Sequence, residues 1–416
     1  MKKTDDILLK RLLLSVGILL FIRMGTFLPI PGINHGHLAF YIQQHPITKN
    51  LVSTFSGNDT FVIGLFTLNI FPYINASIMV QLITGLIPSI SKLQKEGGGE
   101  GRRAITRLTR LITFGWALIQ SSSIAFYLKR ALFDWTPLLA FEIILWLSTG
   151  AMIVLWLSEL ITEYGLGNGA SLLIYTNIIS SLPNLGQKLL SENTGNLTVV
   201  SGFGIALLFF IAISGIITLQ ESARIVPLIS SKQLGQSQPL VSKVKSNNYI
   251  PLRFNQAGVM PIILTTAILV LPNYITNLGV FPLLTIPIFL KSSKISKIIY
   301  WVSYFILILI FSSFYSTIVL NPKDISQELQ KMAVSIPGIR PGLATTFYLK
   351  QVMKRVTFFG AIVLAILATL PNIVEGILNV SSFNGLGTTS LLILVGVVLD
   401  ISREMKSIIL SNIYNE

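Results

Sequence analysis

Long apolar runs follow one another along the whole chain, and short segments carrying charge, glycine or proline separate them. About 20 apolar residues cross a bilayer as a helix, and the alternating ten-residue segments of a membrane β-barrel are absent from the sequence. The pattern therefore predicts an all-α polytopic membrane protein with ten transmembrane helices. The predicted spans are 12–30, 61–88, 111–128, 138–158, 170–183, 202–219, 257–275, 298–320, 356–374 and 386–400.

The composition is typical of a membrane protein and excludes several kinds of functional site. The 416 residues are 52% hydrophobic and only 12% charged, whereas about a quarter of the residues of a soluble domain are charged. The sequence contains no cysteine, which excludes disulfides, thiolate metal sites and thiol nucleophiles. A large soluble domain is also excluded.

The basic residues predict how the spans are oriented. With both termini inside, 23 of the 31 lysines and arginines fall in inside segments, 7 fall outside, and Arg23 alone lies within a span. Inside loops of membrane proteins carry the excess of lysine and arginine. The N- and C-termini are therefore predicted on the cytoplasmic or stromal side, with large basic inside loops at 220–254 and 321–355.

An internal match predicts that the chain has two halves. GLGNGASLLI at 165–174 resembles GLGTTSLLIL at 385–394, and each string ends a set of five spans. Halves with an odd number of spans enter the membrane from opposite faces, which makes an inverted repeat. The predicted bounds are 1–185 for the N-terminal half, 186–201 for an outer connecting loop and 202–416 for the C-terminal half. Chance similarity between helix starts rich in glycine and leucine is the alternative.

Titratable residues form no catalytic or ion-coupling set along the predicted spans. His35, His37 and His45 all fall in the first outside loop, so no span carries the histidine that a serine dyad or a zinc site requires. We therefore expect a conduit operated by another component, with no enzyme activity, cofactor or metal. An inverted-repeat secondary transporter is the alternative class, and it would need acidic residues or broken-helix carbonyls at the midplane.

Seven short strings occur in order along the chain, and together they resemble the SecY family, the channel subunits of the Sec protein translocon. The strings are RMGTFLPIPG (23–32), FPYINASIMVQL (71–82), GEGRR (99–103), ITEYGLGNGASLLI (161–174), FNQAGVMP (254–261), IPGIRPG (336–342) and GTTSLLI (387–393). The resemblance implies a clamshell of two five-helix halves around an hourglass pore. It also implies a passive protein-conducting channel that translocates unfolded, signal-bearing preproteins and releases membrane helices laterally.

The resemblance assigns residues to each part of such a channel. It implies a plug at about 48–62 and an apolar pore ring, in which Ala170 replaces the bulkier residue usual in the family. The implied ring residues are Ile70, Ile74, Ala170, Ile174, Ile263 and Ile393; the plug residues are Phe55, Ser56, Gly57, Asn58 and Asp59; the lateral gate residues are Asn75, Gln120, Asn255 and Leu271; and the motor or ribosome docking residues are Arg102, Arg103, Arg253 and Arg340.

Partners and location are implied in the same way. The resemblance implies a small SecE-type membrane subunit, a SecA motor ATPase or a ribosome as the driver, preprotein substrates and surrounding membrane lipid, and it leaves a SecG-type subunit open. Little alanine with abundant isoleucine, asparagine and lysine indicates an A+T-rich compact genome. This composition favours an algal plastid, and hence the thylakoid membrane, with a bacterial plasma membrane as the alternative.

Overall fold

Helices make up most of the described chain in the computed structural model. The described residues are 2–33, 63–87, 98–129, 135–192, 198–230, 249–256, 294–378 and 388–413, with isolated positions between 89 and 93 and between 258 and 265. The predicted plug residues 55–59, the ring residue Ile263 and the gate residue Leu271 lie outside the described residues.

The chain packs as two compact units. One comprises Met1–Thr194 and Val397–Glu416, and the other comprises Gly195–Gly396. These units do not coincide with the predicted halves, so the bounds 1–185 and 202–416 and the inverted repeat stay predictions.

The first unit is built from five helices whose bounds are described. They are α1 (Lys2–Thr26), α2 (Phe71–Leu86), α3 (Gly98–Leu128), α4 (Pro137–Tyr164) and α5 (Gly169–Glu192). Helix α3 packs against α2 and α4, and α4 also packs against α1 and α5. Ile143 and Leu147 of α4 form a buried core with Ala117 of α3. The Thr136 hydroxyl accepts from the Leu139 N–H at 3.2 Å, and Pro137 follows it, which is the usual start of a helix.

The second unit contains helices and four short strands. Its elements are α6 (Thr198–Glu221), β1 (Ala223–Pro227), β2 (Ile229–Ser230), β3 (Tyr249–Arg253), α7 (Lys294–Val319), α8 (Pro322–Lys331), β4 (Val334–Ser335) and α9 (Leu343–Leu378). Helix α9 packs against α6, α7 and α8. The last helix, α10 (Thr388–Ile413), contributes residues to both units.

The strands join segments that the sequence reading treated only as loops. Strand β1 pairs antiparallel with β3, from Ala223 opposite Arg253 to Pro227 opposite Tyr249. Strand β2 pairs antiparallel with β4, so that Ile229 lies opposite Ser335. The second pairing connects the two predicted basic inside loops to each other.

Two helices of the described chain are long and apolar enough to cross a membrane by length and composition alone. They are Pro137–Tyr164 and Leu343–Thr369. Shorter apolar helices lie at Gly169–Ser180, Phe210–Glu221 and Trp301–Ser316. Each of these helices overlaps a predicted span.

Candidate pore constriction and docking surface

The first pair of predicted ring residues lies at the start of α2. Ile70 directly precedes the helix and is 1% exposed, and Ile74 is 7% exposed. The Ile74 N–H donates to the Ile70 carbonyl at 3.1 Å. The two isoleucines are therefore one helical turn apart and share a face.

A buried segment of turns, residues 63–70, leads into α2. The Leu65 N–H donates to the Leu28 carbonyl at 2.9 Å, and the Ile30 N–H donates to the Ile63 carbonyl at 3.3 Å. Gly64 lies so close to the Thr26 carbonyl that a Cβ would collide with it. The end of α1 and the chain that follows it thus fix this segment within the first unit.

The second pair of predicted ring residues, Ala170 and Ile174, lies in the first turns of α5. Both are half-buried. The Gly169 N–H donates to the Thr162 hydroxyl at 2.9 Å, and the Ala170 N–H donates to the Asn168 side chain at 3.0 Å. Side chains therefore satisfy backbone N–H groups that have no partner within the helix.

One side-chain hydrogen bond joins the two ring-bearing elements directly. Asn69 is 3% exposed and has a left-handed backbone with φ 47°. Its Nδ2 donates to Asn177 Oδ1 at 2.9 Å, while its Oδ1 accepts from the Ile70 N–H at 2.8 Å. Asn177 lies three residues after Ile174 on α5. Sequence reasoning did not assign either asparagine, although Asn69 directly precedes the first ring residue.

The remaining predicted ring position with a description is Ile393. It lies on α10, in the part that belongs to the second unit, and is half-buried. The structure therefore brings Ile70, Ile74, Ala170 and Ile174 onto two linked elements of one unit, and closure of a six-residue ring stays a prediction.

Three of the predicted gate residues lie among the described residues, and all three have amide side chains. Asn75 is half-buried on α2. Gln120 of α3 has a buried Oε1, and Asn255 has a buried Nδ2, and neither atom has a hydrogen-bond partner among the described residues. Buried polar groups without a partner are uncommon in proteins, so both side chains retain hydrogen-bonding capacity.

The predicted docking arginines are all exposed. Arg102 and Arg103 lie near the start of α3, Arg253 ends β3, and Arg340 lies in the turn between β4 and α9. Gly338 has φ 77° in this turn, which a glycine adopts without strain. The Arg340 carbonyl accepts from the Thr345 hydroxyl at 2.9 Å. The turn is therefore tied to the first residues of α9.

An apolar core includes Leu252 and contacts Ile339, the chain neighbours of Arg253 and Arg340. Its buried members come from β1, β3, α9 and the chain after β4, and we call β1–β4, α8 and the first turns of α9 the docking platform. The buried core residues are Val226, Leu252, Ile336, Leu349, Val352, Met353 and Val356. Sequence reasoning missed this platform, although ARIVP and YIPLR are short segments in which branched apolar residues recur.

A surface ion pair connects α3 to α4. Arg110 Nε and Nη2 donate to the two carboxylate oxygens of Glu159 at 2.9 and 2.7 Å. The hydrogen bond to Glu159 raises the pKa of Arg110 above its ordinary value. Among the described residues, no three histidine, aspartate or glutamate side chains gather as a metal site would require.

Comparison with known proteins decides the family. The SecY family model matches residues 64–402. A protein translocase subunit SecY of Trieres chinensis is 68% identical and aligns over 100% of this chain and 99% of the relative. The chain belongs to the SecY family.

Other SecY-family relatives come from algae and cyanobacteria. The SecY subunit of Guillardia theta is 45% identical over 99% of this chain and 97% of its own length. That of Synechococcus elongatus is 42% identical over 97% of this chain and 93% of its own length. Near full coverage on both sides means that the family resemblance extends over nearly the whole chain.

Solved structures with the same fold are SecY and Sec61 channels. A structure described as a protein conducting channel has a TM-score of 0.66 at 20% identity, and it covers 97% of this chain and 93% of its own. Sec61 in a canine ribosome–channel complex has a TM-score of 0.63 at 18% identity, with the same coverage. The predictions of an all-α polytopic membrane protein and of a protein-conducting channel are confirmed.

Proposed function

We propose that this SecY-family channel carries unfolded, signal-bearing preproteins through an apolar constriction, and that Ile70, Ile74, Ala170 and Ile174 form the first-unit part of it. The observation that carries the proposal is the direct link between the two helix starts that bear these residues. Ile263 and Ile393 would complete the ring. The channel itself performs no chemistry in this proposal, and a partner supplies the energy.

An apolar ring suits a channel that must stay sealed and still pass many sequences. Branched aliphatic side chains offer a passing chain no hydrogen bond and no charge, so they do not select or retain it. Transfer of water or ions into an apolar constriction is unfavourable for the same reason that burial of unpaired polar groups is costly. A ring of this kind therefore closes by dewetting and opens by side-chain displacement.

The plug and the side exit complete the proposal. Residues 55–59 would fill the outer funnel, since a polar segment at membrane depth is tolerated only inside protein or in a watery cavity. Asn75, Gln120, Asn255 and Leu271 would line the lateral gate. Hydrogen bonds between membrane helices contribute on average about 0.6 kcal/mol each, which suits a seam that has to open and close.

The docking platform would receive the partner that drives transport. Arg340 and Arg253 of the platform are exposed cations, as are Arg102 and Arg103 of α3 in the first unit. Such groups attract ribosomal RNA phosphate and acidic protein surfaces. Structural relatives include Sec61 in a canine ribosome–channel complex. A ribosome or a SecA motor is therefore the proposed driver, with a SecE-type subunit as a membrane partner and a SecG-type subunit left open.

We propose the thylakoid membrane of an algal plastid as the location, with both termini on the stromal side. SecY relatives from Trieres chinensis and Guillardia theta support it. A plasma membrane of bacterial type is the alternative, since the Synechococcus elongatus relative is also similar.

The ring is tested by the resting conductance of the purified channel in planar bilayers. Ile174→Asn introduces an amide into the proposed constriction, and we expect ion leakage to rise while export continues. Ile179→Asn is the matched control, because Ile179 lies on the same helix and is exposed. Unchanged conductance in Ile174→Asn, or an equal rise in both variants, would refute the ring.

The side exit is tested by a reversible crosslink in this cysteine-free chain. Asn75→Cys with Leu271→Cys should form a disulfide if the two positions come within the roughly 7 Å between Cα atoms that the bond allows. The oxidised protein should then fail to release membrane helices laterally and should recover on reduction. Efficient crosslinking with normal helix release would contradict the gate, and a transporter would show no link between this bond and protein insertion.

A further inference from the structure

We infer that the hydrogen bond between Asn69 and Asn177, the asparagine bridge, positions the first-unit part of the pore ring and thereby sets how tightly the resting channel excludes ions. This inference rests on the proposed ring. It makes Asn69 and Asn177 positioning residues, which act through the isoleucines beside them.

The two functions of the Asn69 amide carry the inference. Its Oδ1 accepts from the Ile70 N–H at 2.8 Å, which fixes the backbone of a ring residue. Its Nδ2 is then the group left to face α5, and it donates to Asn177 Oδ1 at 2.9 Å. One side chain therefore fixes the position of Ile70 and ties it to the helix that carries Ala170 and Ile174.

The backbone of Asn69 explains why an asparagine is suited to this position. A φ of 47° lies in the left-handed region, which asparagine visits far more readily than most residues other than glycine. Aspartate could also accept from the Ile70 N–H, but its ionised side chain has no donor for Asn177. Glycine keeps the backbone conformation and removes the amide, which makes it the cleanest deletion.

The environment of the bridge makes a directional bond important. Apolar packing between helices has little driving force where lipid tails are equally apolar, so packing alone sets the register of α2 and α5 weakly. The bridge connects residues 108 positions apart in the chain. Its loss would allow the two ring-bearing helix starts to shift relative to each other.

A small cavity beside the bridge is the reason to expect leakage from such a shift. Its lining includes the polar side chains of Arg23, Asn69, Thr176 and Asn177. Arg23 Nη1 is buried and has no hydrogen-bond partner among the described residues. A cavity with such a group can hold water. Both asparagines of the bridge line this cavity, and each lies within three residues of a ring residue, Ile70 or Ile174.

The first test compares isosteric changes on neighbouring residues of α5. Asn177→Leu removes the acceptor, and we expect the resting conductance to rise about threefold or more. Thr176→Val is the matched control, because Thr176 lines the same cavity but donates only to the Leu172 carbonyl of its own helix. Asn177→Asp should stay near the parent value, since a carboxylate still accepts from Asn69 Nδ2 and Arg23 lines the same cavity.

The second test asks whether the bridge acts through the ring. In the Ile174→Asn background, Asn177→Leu should add no further leakage, whereas a general loss of packing would add to it. Thermal unfolding of each variant provides the second readout, because a merely structural role would lower the melting temperature without a selective rise in conductance. If Asn177→Leu does not insert, Asn69→Gly removes the same bond from the other side.

The outcomes separate this inference from the proposed ring. Leakage in Ile174→Asn without leakage in Asn177→Leu and Asn69→Gly would overturn the bridge and leave the ring intact. Equal leakage in Asn177→Leu and Thr176→Val would also overturn it, because the cavity alone would then explain the effect. No leakage in Ile174→Asn would remove the ring and the inference together.

Discussion

The proposed pore ring and the docking platform combine apolar and polar contacts in opposite ways. At the ring, the proposed constriction residues Ile70 and Ile174 are apolar, and the contact that links their helices is the polar Asn69–Asn177 bond. At the platform, the proposed docking residue Arg340 is an exposed cation, and buried residues such as Leu349 form the apolar core of the platform.

The difference follows from the surroundings of each region. Within a membrane, apolar contacts with a neighbouring helix are hardly more favourable than contacts with lipid. Hydrogen bonds between helices therefore determine how the helices align. At a water-exposed surface, apolar burial supplies the stability, and charges remain available for a partner. If the proposed roles are correct, the ring functions through apolar side chains and is held by a polar contact, whereas the platform functions through charge and is held by apolar burial.

The largest effect should come from removing support of the platform. Leu349 is 0% exposed, and a buried Leu→Ala change costs about 2–5 kcal/mol. We expect Leu349→Ala to lower the melting temperature and to expose the platform to protease. Phe347→Ala is the control on the same helix, since Phe347 is 70% exposed. Similar destabilisation by both changes would mean that the apolar core does not support the platform.

The second largest effect should come from reversing the charge of Arg340, which changes the proposed docking surface of the platform without changing its apolar core. Arg340→Glu reverses an exposed charge and should reduce motor-driven transport about tenfold or more. Loss of a charge contact that contributes about 1.4 kcal/mol or more would have this effect. The melting temperature should not change. Lys406→Glu is the control for net charge, because Lys406 is exposed on α10 and lies outside the docking platform. The docking role of Arg340 is contradicted if both variants transport equally well.

A smaller effect is expected from strengthening the ring. Ala170→Ile adds a branched side chain one helical turn before Ile174, at a half-buried position. We expect resting conductance to fall by about a factor of two, because one added apolar side chain extends the water-free collar. Phe126→Ile is the control, because Phe126 is exposed on α3. Ala151→Ile would overpack the core instead, since Ala151 is only 2% exposed. A rise in leakage with Ala170→Ile would contradict the proposed apolar seal.

The smallest effect should come from the surface pair on α3 and α4. Arg110→Ala removes both hydrogen bonds to Glu159, but exposed pairs contribute only about 0–1 kcal/mol. The melting temperature should change little and conductance should not change. Because the pKa of Arg110 is raised, its contribution is complete below the ordinary arginine pKa and is lost only at higher pH. A large loss of transport would show that polar contacts outside the ring also determine how well the channel works.

The sequence predicted most of the fold class, because apolar runs and the placement of basic residues can be read directly from the order of residues along the chain. It also predicted Ile70, Ile74, Ala170 and Ile174 through the family resemblance, and these assignments stay predictions. It did not predict the pairing of Ile229 with Ser335, because short strands between distant loops carry little periodicity. Asn69 and Asn177 were missed for a related reason, since their 2.9 Å contact joins residues that are distant in the chain.

The pairing of β1 with β3 has a consequence for how the chain can change during evolution. Pro227 lies opposite Tyr249, so the pairing brings together the two ends of the segment that connects β1 to β3. Changes in length between two such points add only a small loop-closure cost. The length of this segment can therefore change at little cost in stability, whereas changes to Val226, Leu252 and the other core residues disturb the packing of the platform itself.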